Sequence, residues 1–193
     1  MILNIPNSLT LARVVAIPIF VALYFVPGYW ARVLTTAIFV AAAITDWLDG
    51  YLARRLDQSS PFGAFLDPVA DKLIVAAALV LLATDPHIHH AVFDPRVFGV
   101  VAFVIIGREI TVSALREWMA EIGRRKHVAV SWVGKFKTIM QMTAIPFMLY
   151  RQPLGPLPVV QIGEVLLYLA AILTLWSMVA YLRAAWPALT HPH

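Results

Sequence analysis

Cysteine is absent from all 193 residues. Disulfide bridges, Cys-ligated zinc and thiol nucleophiles are therefore excluded, and any chemistry must come from carboxylates, hydroxyls, imidazoles or a bound metal. Charge is scarce as well: charged residues make up 13% of the chain and hydrophobic residues 61%, where soluble domains average roughly a quarter and a half. So large an apolar excess excludes intrinsic disorder. The 15 Lys and Arg against 11 Asp and Glu leave a net charge of only +4, too little for the basic stripe of a protein that binds a nucleic-acid polymer. This composition belongs to an all-α integral membrane protein, and the basic excess reports topology.

Six stretches approach the 20 or so residues needed to cross a bilayer core of about 30 Å: Leu9 to Val26, Ala31 to Leu52, Phe62 to Ala83, Val97 to Met119, Val130 to Tyr150 and Val160 to Trp186. The first is too long for a signal-peptide core and lacks a basic stretch before it, so it is expected to remain as a helix. Pro27-Gly28, Ser59-Ser60-Pro61, Asp85-Pro86, Asp94-Pro95 and the prolines at 153, 156 and 158 punctuate the runs. Short connections and the absence of an internal repeat predict a single domain over residues 1–193. Arg54, Arg55, Arg116, Arg124, Arg125 and Lys126 crowd two connections, whereas Arg32, Arg96 and Arg151 stand one to a connection. Because cytoplasmic loops hold the excess of Lys and Arg, this pattern predicts six transmembrane helices with both termini cytoplasmic.

Acids inside a span are costly and mark function. Asp46 and Asp49 close the second run on one helical face with Gly50 and Ala53; Ser60 and Pro61 are suited to cap and open the next helix, which carries Asp67 and Asp71 one turn apart. A short connection makes these helices antiparallel neighbours, and Gly50, Ala53 and Gly63 keep their approach free of bulk. Four carboxylates at similar depth must protonate, pair with Arg54, Arg55 or Lys72, or recruit hard cations, and oxygen-only ligands suit Mg²⁺ or Mn²⁺. Elsewhere the chain reads more plainly. Asp57, Asp85 and Asp94 fall in turns and read as solvated, as does the loop of His87, His89 and His90. Glu164 reads as an acid in the first turn of the last helix, where the macrodipole favours it. Asn7 reads as a helix cap and Arg13 as a snorkelling residue, and Trp30, Trp132, Trp176 and Trp186 as belt or packing residues.

The segment from Asp46 to Asp71, DWLDGYLARRLDQSSPFGAFLDPVAD, resembles the signature of the CDP-alcohol phosphotransferase family, Asp-Gly-x2-Ala-Arg-x8-Gly-x3-Asp-x3-Asp with a further Asp three residues upstream. Every specified position matches. NIPNSLTLARV, GREITVSALREWMAE and VAVSWVGKFKT are similar to the bacterial branch that uses glycerol 3-phosphate as acceptor. The resemblance implies transfer of the phosphatidyl group from CDP-diacylglycerol to glycerol 3-phosphate with release of CMP. The site would lie on the cytoplasmic face of the bacterial inner membrane, in a homodimer among membrane lipids. It further implies two ions, Mg²⁺ or Mn²⁺, held by Asp46, Asp49, Asp67 and Asp71, with Asp71 also the general base. CDP-diacylglycerol would be bordered by Asn7, Thr10, Arg13, Asp46, Asp49, Gly50, Ala53, Arg54, Ser60 and Gly63.

Arg108 follows Gly107 in an apolar run, and Arg116, Lys135 and Lys137 fall in the same two helices. A buried Arg needs an anion, so these four residues are expected to bind the phosphate of glycerol 3-phosphate, with snorkelling or pairing to Glu109 or Glu117 as the plainer alternative. Two other readings fit parts of the pattern. A sibling enzyme with another acceptor, a cardiolipin or phosphatidylinositol-type synthase, would share the four acids. A cation-coupled transporter would place its acids near the midplane between repeated halves.

Overall fold

The computed structural model describes residues 5–56, 61–122 and 132–190. Among them are seven helices: α1 (Ile5–Tyr24), α2 (Tyr29–Leu56), α3 (Pro61–Thr84), α4 (Pro86–Ala91), α5 (Pro95–Glu121), α6 (Trp132–Tyr150) and α7 (Val159–Thr190). The six long ones fall on the six apolar runs, their ends shifted from the run ends by at most four residues. The breakers act as expected. Gly28 adopts a φ of 120°, which an L side chain rarely tolerates, and this lets the chain reverse between α1 and α2. Asp94 caps α5 through a 2.8 Å bond from the Arg96 N–H, with Pro95 as first helical residue. Between α6 and α7 the chain doubles back at Gly155 (φ 61°), where Leu154 and Leu157 exchange backbone hydrogen bonds.

Helix α1 packs along both α2 and α3, α5 lies against α3 and α7, and α6 joins α2 to α7. The closest approach is between α6 and α7. A Cβ added at Gly163 would lie 2.9 Å from the Ala144 carbonyl oxygen and 2.7 Å from Met148 Cγ, so only glycine permits this contact. Phe20, Phe39, Leu82, Ile105, Ile145 and Leu167 fill the interior. The exterior is apolar too, with Phe103 at 75% and Trp176 at 73% exposure, the dress of a surface that meets lipid rather than water. Among the described residues three helices are long and apolar enough to cross a membrane by themselves: Asn7–Tyr24 of α1, all of α5, and Val159–Arg183 of α7.

Three of the plainer readings are corrected at the end of the bundle where α1 and α6 finish. Asp85 is not solvated: it is 7% exposed, its Oδ2 accepts from the Tyr24 hydroxyl at 2.7 Å and meets Arg151 Nη2 at 2.7 Å, and its Oδ1 accepts from the His87 N–H at 2.8 Å. The histidine segment is helix α4 rather than a solvated loop, started by Asp85 as N-cap and Pro86. Within it Ile88 is buried and His89 Nε2 bonds the Ala83 carbonyl at 2.7 Å, while His87 and His90 are exposed, as the sequence suggested. Glu164 lies beyond the first turn of α7 and is fully buried. Its carboxylate accepts from the Phe93 N–H at 3.0 Å and from the Tyr168 hydroxyl at 2.6 Å, tying the start of α5 to α7.

Candidate active site

Asp46 in the second half of α2 and Asp67 and Asp71 near the start of α3 lie at the opposite end of the bundle from Asp85. Along α3 the separation of Asp71 from Asp85 is roughly 20 Å at helical rise. The contact between α2 and α3 is not the whole arrangement, because α1 lies across both. Arg13, 3% exposed, donates from Nη1 to Asp46 Oδ1 at 2.6 Å, and the Thr10 hydroxyl donates to Asp67 Oδ1. Asp71 lies within electrostatic reach of Asp46, Glu109, Lys72 and Arg13. Asn7, Thr10 and Arg13 are thus buried on the α1 face that meets the acids. Neither plain reading holds: Asn7 lies inside α1 rather than capping it, and Arg13 is paired rather than snorkelling. Lys72 donates to the Pro68 carbonyl at 3.1 Å.

Asp49, Gly50, Ala53 and Arg54 belong to α2, but their side chains fall outside the described ones, as do Ser60 and the Lys135 side chain. Gly63 is buried in the first turn of α3. Among the described residues no three His, Cys, Asp or Glu side chains converge on one point; Asp49, the fourth acid, is not among them. The donor set is nonetheless suited to a hard divalent cation. It is carboxylate oxygen throughout, and the Asp46 side chain remains 39% exposed beside its buried arginine.

Next to Asp71 opens a cavity of about 280 Å³ lined by Lys72, Arg108, Glu109, Arg116, Lys137, Thr138 and Gln141 among others. Four cations face it against two acids, so its field favours an anion. Three of the four, Arg108, Arg116 and Lys137, are held by other side chains. Arg108, 6% exposed, donates from Nη1 to Glu109 Oε1 at 3.1 Å and from Nη2 to Ser177 Oγ at 3.2 Å. Lys137, 3% exposed, donates to the same Glu109 oxygen. Arg116 donates to the Tyr181 hydroxyl at 2.9 Å and lies 5.1 Å from that ring's centre. The structure therefore brings Arg108, Arg116 and Lys137 together beside Asp71. Pairing with Glu109, entertained as the plainer alternative, is also present, but one carboxylate serves two cations. Ser177 and Tyr181 come from α7, over sixty residues away in sequence, and only their spacing of four on an apolar helix hinted at a shared face.

Carboxylates near a helix-bundle end, backed by a buried arginine and opening on a cation-rich pocket, are the furniture of phosphoryl or phosphatidyl transfer in a membrane. The chain belongs to the CDP-alcohol phosphatidyltransferase family, which matches residues 3–176, and that family is generally dependent on divalent metal. Among its relatives is a Yersinia enterocolitica protein, 52% identical over 98% of this chain and 99% of its own length, named CDP-diacylglycerol--glycerol-3-phosphate 3-phosphatidyltransferase. A Yersinia pestis protein of the same name is 53% identical over the same shares. A third, from Salmonella typhimurium, is 51% identical over 94% of both chains.

Proposed function

We propose that this chain transfers the phosphatidyl group of CDP-diacylglycerol to glycerol 3-phosphate, giving phosphatidylglycerophosphate and CMP. The observation that carries the acceptor assignment is the cavity of Arg108, Arg116 and Lys137 against Asp71. A phosphorylated alcohol held there by its phosphate brings a hydroxyl to the carboxylate, whereas serine or free glycerol lacks the group those cations bind. The names of the relatives support the same substrates.

In this reading Asp71 takes the proton of the glycerol hydroxyl as its oxygen attacks the phosphorus that bears the diacylglycerol. A new phosphorus–oxygen bond forms, the bond to CMP breaks, and the electron pair leaves with the CMP phosphate. Asp46, Asp49, Asp67 and Asp71 are the residues that would hold divalent cations, two of Mg²⁺ or Mn²⁺. Such ions, when bound, neutralise the diphosphate and the charge gathering on the leaving group. Arg13 and Thr10 hold Asp46 and Asp67 in fixed rotamers and, with Asn7, Gly50, Ala53, Arg54, Ser60 and Gly63, border the nucleotide. Lys135 joins the acceptor set. The protein is a single domain over residues 1–193, with six spans and both termini cytoplasmic. Its active site faces the cytoplasm of a bacterial inner membrane, and the chain acts as a homodimer.

The test offers purified protein CDP-diacylglycerol and Mg²⁺ with glycerol 3-phosphate, inositol phosphate, serine or phosphatidylglycerol in separate reactions, and measures CMP release. Release with glycerol 3-phosphate, abolished by excess chelator, is the expected outcome. Release with phosphatidylglycerol or inositol phosphate instead reassigns the acceptor, and full activity in chelator removes the metal site.

A further inference from the structure

A second polar cavity, of about 300 Å³, opens at the far end of the bundle between the α1–α2 turn and the start of α4. Asp85, the one acid that lines it, already has three partners: the His87 N–H on Oδ1, and Tyr24 and Arg151 on Oδ2. Arg151 in turn stacks on the Tyr24 ring, 4.4 Å from its centre. The other cation of the cavity, Arg32, is left over. Among the described residues it has no ion-pair partner, and its buried Nε has no hydrogen-bond acceptor. A half-buried guanidinium without an anion is costly, and Asp85, whose charge is paired with Arg151, does not relieve it.

The mouth of the cavity is dressed for a membrane interface. Phe25 is 71% and Trp30 73% exposed on the same turn, and Tyr29 packs edge-on to Trp30 at 5.4 Å. Aromatic residues of this kind sit at headgroup level, where a planar guanidinium matches a phosphate with two parallel hydrogen bonds. We propose that this cavity binds a phosphate-bearing anion, supplied by a lipid headgroup, with Arg32 as its principal contact and Arg151 as its second. It lies at the opposite end of the bundle from the acids and takes no part in transfer.

The full chain, purified in neutral detergent, is titrated with short-chain phosphatidylglycerol, short-chain phosphatidylcholine and inorganic phosphate while its thermal unfolding is followed. Because the cavity beside Asp71 also suits phosphate, the titrations are repeated on Arg108→Ala. Phosphatidylglycerol is expected to raise Tm in the original chain and in Arg108→Ala. Arg32→Gln is expected to bind it about tenfold more weakly, the loss of one charge-assisted contact, with CMP release at saturating substrates unchanged. Arg32→Lys keeps the charge but loses the fork, and falls between the two; it also carries the test if Arg32→Gln does not fold. An Arg32-dependent shift with inorganic phosphate alone retains the anion site and moves its ligand from lipid to solution. An undiminished phosphatidylglycerol shift in both Arg32 variants, or an equal shift with phosphatidylcholine, overturns the proposal.

Discussion

The two ends of this bundle use the same residue types to opposite effect. Around Asp85 one carboxylate, one arginine and one tyrosine close on each other, and the group ties α1, α3 and the end of α6 together. Around Asp71 the cations outnumber the acids, Glu109 is shared by Arg108 and Lys137, and a cavity remains between them. A polar cluster that satisfies itself acts as structure. One that is left with surplus charge and open volume is ready for a ligand. Burial does not separate the two, since Arg108 and Asp85 are almost equally hidden, at 6% and 7%; the balance of charge does.

Substitutions at the Asp71 end are expected to break function, and, apart from Asp46→Asn, which leaves buried Arg13 without its counter-ion, to do so with little loss of folding. The largest effect belongs to the acids: Asp46→Asn, Asp67→Asn and Asp71→Asn should each lower CMP release by about 10²-fold or more. If Asp71 is chiefly the base, its variant keeps nucleotide binding, which equilibrium dialysis with CDP-diacylglycerol in detergent measures. Next come Arg108→Ala and Lys137→Ala, expected to raise the KM for glycerol 3-phosphate by about ten- to a hundredfold, one charge-assisted contact each. The KM for CDP-diacylglycerol should move far less, and equal movement of both would make the cluster structural.

At the Asp85 end the sign reverses. Asp85→Asn leaves Arg151 buried without its counter-ion and should cost about 3 kcal/mol of stability, read as a lower Tm, while the kcat of the surviving protein is unchanged. Burial pushes the Asp85 carboxyl up, but its bonds from Tyr24 and His87 and the charge of Arg151 outweigh burial and hold it below its ordinary value of 3.8. The carboxylate is thus favoured more in the folded state than in the unfolded one. Its contribution is complete above the ordinary value and disappears as pH falls through the lower folded one. A pH series of Tm should therefore show the gap between the original chain and Asp85→Asn closing only in strong acid.

Two glycines give the smaller effects. Gly163→Ala, pressed against the Ala144 carbonyl, should lower stability by about 1–3 kcal/mol. Gly107, beside Arg108, has open space where a Cβ would stand, and Gly107→Ala should raise helix stability by up to about 1 kcal/mol. Loss of glycerol 3-phosphate dependence in Gly107→Ala would show that this position serves the site through more than its backbone.

Much of this was readable in the chain. Hydrophobic length marked the six long helices, because a run of some twenty apolar residues has few other stable uses, and Pro, Gly and Asp marked where they end. The spacing within Asp46 to Asp71 placed the acids in pairs on shared helical faces, since residues three and four apart lie together, and the resemblance of that segment to a family signature implied the transfer chemistry. What stayed hidden was pairing across helices. That Arg13 would meet Asp46, that Ser177 and Tyr181 would steady Arg108 and Arg116, and that Asp85 would be buried against Arg151 depends on how helices dozens of residues apart lie side by side. Local periodicity says which face a residue occupies and nothing of what that face will touch. An acid in a turn and an acid in a buried ion pair look the same along the chain, and only the packing of α1 and α6 around it decided which Asp85 became.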